Sequence, residues 1–232
     1  LEKPEKGNNV YIFAKGRPPV KGKDARVIFK KPNYLRDHPS DIGQLIRENK
    51  IVCYEKDELV AEKTEPTNGI SGVDVFSGEI PGPKGKWITF PVGKGVQITE
   101  DNRYLKALHS GKLEIIEGKI NVLDVAKYEG GINHNSGNVI FKGKLLEITE
   151  SLEHGFTLDV EGDLIVNKSI ENAVVKVTGN AIVRGLIIGE NAKVFVMGNL
   201  NCEIIENAKV VVDGNLYIKN YIIDADCFAR AI

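Results

Sequence analysis

The string ENAVVKVTGNA at residues 171–181 returns as ENAKVFVMGNL at 190–200 and as ENAKVVVDGNL at 206–216. Aligning on the glycine recovers two looser copies, NSGNVIFKGKL at 135–145 and HGFTLDVEGDL at 154–164. The five copies start at Asn135, His154, Glu171, Glu190 and Glu206, spaced 19, 17, 19 and 16 residues apart. Within a copy the fifth residue is Val139, Leu158, Val175, Val194 or Val210, and the seventh is Phe141, Val160, Val177, Val196 or Val212. The eleventh is Leu145, Leu164, Ala181, Leu200 or Leu216. Alternation with period two describes strands with one buried face. The ninth residue is always glycine (Gly143, Gly162, Gly179, Gly198, Gly214), which reads as a bend or a positive φ between two strands.

A period this short cannot hold a pair of helices. It suits one coil of a parallel β-solenoid, stacked about 4.8 Å from the next. No coil can bury its own apolar face, so the repetition is architectural: each coil is covered by its neighbours. Asn172, Asn191 and Asn207, each followed by alanine, read as turn residues that tolerate the left-handed conformation rather than as a binding ladder. Cys202 shares its place in the repeat with Val166, Val183 and Ile218, and reads as an inward apolar residue.

All nine prolines lie at or before Pro91, so the later part is free to be continuous sheet. The Gly/Asn-rich YEGGINHNSGN near residue 130 marks a boundary. Residues 1–8 read as a disordered or vector-derived end, 9–129 as a smaller α+β domain and 130–232 as the solenoid. In the first part, NVYIFAKGRPPVKGKDARVIFKK predicts two strands around a Pro/Gly-rich turn. HPSDIGQLIRENKIV predicts one short helix, capped by Ser40, with Ile42, Leu45 and Ile46 facing the core. KIVCYE, GVDVF, KWITFPV, GVQIT and KLEII predict further strands.

Residues 1–130 carry a net charge of +3 and residues 131–232 a net charge of −4, too little to draw the chain to nucleic acid. No apolar run is long enough for a membrane span. Cys53, Cys202 and Cys227 are odd in number and lie apart, with no CxxC and no Cys/His cluster, so the sequence implies a reducing cytoplasm and neither zinc nor another cofactor. The chain opens on Leu1 rather than Met, as a segment of a longer protein would.

Three stretches together resemble one family: GRPPVKGKDARV (16–27), GISGVDVFSGEIPGPKGKWITFPVGKGVQITEDN (69–102) and the solenoid opening SGNVIFKG. The chain is similar to flagellar assembly protein A over nearly its whole length. The resemblance implies a mixed N-terminal domain, a right-handed parallel β-helix and a bacterial cytoplasmic role in flagellar assembly and polar regulation. It brings no catalytic residues with it. Bactofilin-like filaments and the β-helical domain of the septum-site inhibitor are also glycine-punctuated solenoids that self-assemble, but they lack the SGVDVFSGEIPG block.

Enzyme readings fare less well. IIGENAKV (187–194) resembles the hexapeptide repeat of left-handed acyltransferases, whose general base is a histidine. His134 and His154 are the candidates, yet the strict six-residue period fails, and His154 sits where other copies have a turn glutamate. GPKGK and VGKGV lack phosphate-loop spacing. Lys84, Lys86 and Lys94 beside Trp87 would make a weak base-stacking patch, and a core position is the default for Trp87. Two-metal phosphoryl transfer needs clustered carboxylates, and no such pair stands at a strand end.

The outward positions carry the functional expectation. The twelfth place holds Leu146, Ile165, Ile182, Asn201 and Tyr217, an apolar outer stripe over several coils that predicts a surface for a protein partner or a second copy, and Phe195, outward at the sixth place of its copy, joins the candidates. The chain thus reads as a non-catalytic scaffold.

Overall fold

The computed structural model describes residues 14–232. It divides into two compact units: Glu62–Phe90 with the described part of Leu1–Ile28, and Phe29–Ala61 with Pro91–Ile232.

The larger unit contains a parallel β-solenoid of about six turns. Each turn has three faces. The first face stacks residues 139–142, 157–160, Val174–Val177, Lys193–Val196, Lys209–Val212 and Asp226–Phe228. The second stacks Val125–Tyr128 with 145–148, 163–166, 181–183, 200–202 and 216–218. The third stacks Ile132, Leu152, Ile170 and then 186–188, 204–206 and 221–223. Every pairing is parallel and the repeated apolar positions sit in register, Val175 on Val194 on Val210 and Leu164 on Ala181 on Leu200 on Leu216. These residues form one buried column with Leu158, Ile170, Ile187 and Ile205. Cys202 points into it, as its place in the repeat predicts.

The glycine column serves a purpose other than a left-handed bend. Only Gly162 among the five has positive φ. The others lie where consecutive coils touch backbone to backbone: Gly198 N–H donates to Gly179 O at 2.9 Å, and Gly214 N–H to Gly198 O at 3.1 Å. A Cβ on Gly198 would stand 2.5 Å from that same Gly179 oxygen. Beside the glycines runs a side-chain ladder. Asp163 Oδ1 accepts from Asn180 N–H, Asn180 Oδ1 from Asn199 N–H and Asn199 Oδ1 from Asn215 N–H, at 2.7–3.0 Å. It satisfies backbone donors at the corner between the first and second faces.

The corner between the third and first faces is turned by left-handed residues, Asn172, Gly189, Asn207 and Asp224. Asn172 and Asn207 therefore act as predicted. Asn191 does not, because its long coil places Gly189 at the turn, and Asn191 N–H instead donates to Asn172 Oδ1 at 3.1 Å.

The composition break near residue 130 falls inside the first turn. Val125–Tyr128 already pairs with 145–148, and YEGGINHNSGN supplies corners, which need glycine and asparagine as much as linkers do. Ahead of the solenoid the same unit holds a three-stranded antiparallel sheet, Cys53–Tyr54 with Gly111–Ile116 and Lys119–Leu123, and an antiparallel strand pair, Val96–Ile98 with Tyr104–Ala107. Cys53 belongs to the solenoid's buried cluster. The short helix is Ile42–Arg47, and its N-cap is Asp41, whose carboxylate accepts from Gln44 N–H at 2.7 Å, in place of the expected Ser40. With this helix and the 3-10 turn Asn33–Leu35, the part before the solenoid is β-rich.

The smaller unit is built from backbone rather than from a core. Val20 and Ile70 exchange both main-chain hydrogen bonds, as do Arg17 and Val73, and Gly72–Val73 pairs with Glu79–Ile80. Its glycines pack closely: a Cβ on Gly22, Gly69, Gly72, Gly82 or Gly85 would meet backbone at 2.0–2.5 Å. Trp87 is 59% exposed, which corrects the expected core tryptophan. Its ring carries the Lys63 ammonium 5.8 Å from the centroid. KWITFPV forms no strand; Lys86 N–H caps Asp24 and Val92 makes one parallel bridge to Ile120. The predicted strand before Ala14 and the predicted loose end at 1–8 lie outside the described residues.

Burial pushes the Cys53 thiol up to about 12 and the Cys202 thiol up to about 11, from an ordinary 9.0. The folded state holds these protons after the unfolded chain has released them. Their contribution is therefore complete below pH 9 and is lost as pH rises toward the folded values. For Cys53 the expected slope is about −1.4 kcal/mol per pH unit. Urea midpoints measured from pH 8 to 11 should fall, and fall less steeply in Cys53→Ala. In the native chain at pH 8 a disulfide reagent should reach Cys227 alone; three reactive thiols would contradict the burial.

Candidate interaction surface

Strand pairing decides which side chains share the outer surface. On the second face the outward column is Lys127, Glu147, Ile165, Ile182, Asn201 and Tyr217. Ile182 and Tyr217 are 39% and 52% exposed, and Ile165 is half-buried. Three of the five expected surface residues thus stand in one line, broken by Asn201.

Leu146 is a correction. It is fully buried and pairs with Leu164, whereas Leu145 pairs with Asp163. The register shifts between Lys142 and Leu145, where Lys144 N–H and Leu145 N–H both donate to Asp124 O. One extra residue at such a bulge exchanges the inside and outside of the strand that follows. Phe195 is half-buried on a different face, in the outward column Ile140, Asp159, Lys176, Phe195, Val211 and Phe228.

Around Ile182 and Tyr217 lies a shallow depression of about 430 Å³, edged by Arg184, Asn201, Glu203 and Lys219. Lys219 Nζ meets Glu203 Oε1 at 2.8 Å, and the Tyr217 hydroxyl accepts from Asn215 Nδ2 at 3.0 Å. An aromatic ring and an isoleucine on a rigid sheet, rimmed by a closed ion pair, offer apolar contact with little loss of side-chain freedom.

A second cleft, of about 410 Å³, gathers His109, Ser110, Asp124, Lys144 and Glu161 over Gly143 and Gly162. No sequence signal joins residues so far apart. Its charges are met internally: Lys144 lies 2.5 Å from Asp124, holding that carboxyl below its usual range, and Lys142 lies 3.1 Å from Glu161. His134 is exposed, its ring edge-on to Phe156, and His154 is an exposed corner residue. Among the described residues no three His, Cys, Asp or Glu side chains stand close enough to hold a metal ion, and no helix is long and apolar enough to cross a membrane.

Comparison with known proteins agrees with this architecture. Searches of curated proteins and of solved structures returned no match. The profile of the flagellar assembly protein A N-terminal region matches residues 1–118, and that of the flagellar assembly protein A β-solenoid domain matches residues 124–232. With both regions present in order and the solenoid built as that domain's description requires, the chain belongs to the flagellar assembly protein A family.

Proposed function

We propose that this chain is a non-catalytic, cytoplasmic scaffold that acts in flagellar or polar assembly through protein–protein contacts on the second outer face of its solenoid. The observation that carries this reading is the outward line Ile165, Ile182 and Tyr217, apolar side chains where a solvated sheet face would be polar. Family membership supplies the setting.

The test is the double variant Ile182→Lys/Tyr217→Lys, introduced into the gene for this chain in a flagellated bacterium that carries it. Both side chains are exposed, so the unfolding free energy from urea titration should change by less than about 0.5 kcal/mol. The expected result is fewer flagella by electron microscopy at unchanged protein level. Normal flagellation would overturn the use of this surface. Light scattering over a wide concentration range addresses the self-assembling alternative: concentration-dependent filaments, lost in the double variant, would move the reading to a bactofilin-like scaffold.

A further inference from the structure

The third face changes character halfway along the solenoid. The residues preceding its inward positions stack as Ser151, Ser169, Leu186, Ile204 and Tyr221, and those following as Glu153, Glu171, Ile188, Glu206 and Ile223. In the lower turns these columns are serine and glutamate. The serines stitch the stack, Ser151 Oγ accepting from Ser169 N–H and Ser169 Oγ from Leu186 N–H. In the upper three turns the same columns hold five large apolar residues and one glutamate. Tyr221 and Ile223 are about half exposed, and Leu186, Ile188 and Ile204 partly so. Packing within the turn does not require this switch, because the inward Ile170, Ile187 and Ile205 are already fully buried.

One border of this face is acidic. Glu171 and Glu206 stand in its outer column, Glu190 and Asp224 at the corner beyond, and none of the four forms an ion pair among the described residues. Three strands at about 4.8 Å and three residues at about 3.3 Å make a patch roughly 14 Å by 10 Å. That falls well short of the roughly 800 Å² per partner a stable dimer buries. It matches the width of one α-helix, about 10 Å, over about nine residues of its length.

We propose that the third face of the upper turns is a docking site for an amphipathic helix of a partner protein, whose apolar stripe is bordered by lysine or arginine. The stripe lies on Leu186, Ile204 and Tyr221, and its cations face Glu171, Glu190, Glu206 and Asp224. The proposal rests on the reading of the chain as a binding scaffold but uses a different surface, so each can fail alone.

The probe is a fluorescein-labelled helical peptide of about 18 residues, with a leucine stripe bordered by lysine, compared with its twin bordered by glutamate. Fluorescence anisotropy against the chain should show binding of the lysine peptide and at least about tenfold weaker binding of the glutamate peptide. Tyr221→Lys should weaken the lysine peptide about tenfold or more. Glu190→Lys/Asp224→Lys, which touches no apolar contact, should weaken it severalfold and flatten its salt dependence. Ile182→Lys/Tyr217→Lys should leave it unchanged. Equal binding of the two peptides, or full binding to a folded Tyr221→Lys, overturns the site. Sedimentation showing that the free chain dimerises and that Tyr221→Lys makes it monomeric also overturns it, in favour of a second copy as occupant.

Discussion

Gly198→Ala should destabilise the chain by about 1–3 kcal/mol, although it adds a single methyl group and favours extended backbone over glycine. The new Cβ would stand 2.5 Å from Gly179 O and 2.8 Å from Asn180 Oδ1, so two coils would have to separate at the point where Gly198 N–H donates to Gly179 O. The displacement does not stay local. Asn199 N–H leans on Asn180 Oδ1 in the adjoining ladder, and Gly214 N–H donates to Gly198 O from the coil above. Gly198→Val, with a branched Cβ in the same space, should cost more than Gly198→Ala. The check is the urea midpoint of each variant with the slope of the transition compared with wild type. A wild-type midpoint for Gly198→Ala would mean that the glycines are not in contact along the stack.

Leu146→Ala should cost about 2–5 kcal/mol, and Leu145→Ala well under half as much. These neighbours look alike in the sequence, and repeat alignment puts Leu145 inside. The structure reverses them: Leu146 is fully buried on Leu164 while Leu145 is partly exposed beside Asp163. Deleting the buried side chain leaves a cavity in a column pinned by hydrogen bonds every coil, with little room to collapse. Paired urea unfolding of the two variants measures the register directly. Equal losses, or a larger one for Leu145→Ala, would place the bulge elsewhere.

How much of this was legible in advance follows from what each feature depends on. Inward valines and leucines are chosen by burial and recur with period two, so Val175, Val194 and Val210 declare both strand and stacking from their letters. Asn172 and Asn207 declare a corner because few residues accept a left-handed backbone. The outer surface was half legible. Ile182 and Tyr217 fell where the alignment put them, since their coils run without a shift before them, whereas Leu146 lies just past a bulge that no local signal announces.

The sequence by itself determined the repeat, the turns at Asn172 and Asn207 and the inward column apart from Leu145, because these arise from local backbone preference and from the pattern of apolar residues. Tertiary structure alone decided the register at Lys142–Leu145, the pairing of Asp163 with Asn180, Asn199 and Asn215, and the stacking of Leu186, Ile204 and Tyr221 on one face. Coils of unequal length carry no mark saying where the spare residue is absorbed. That is settled only when each coil's hydrogen bonds and side chains are matched against those of its neighbours.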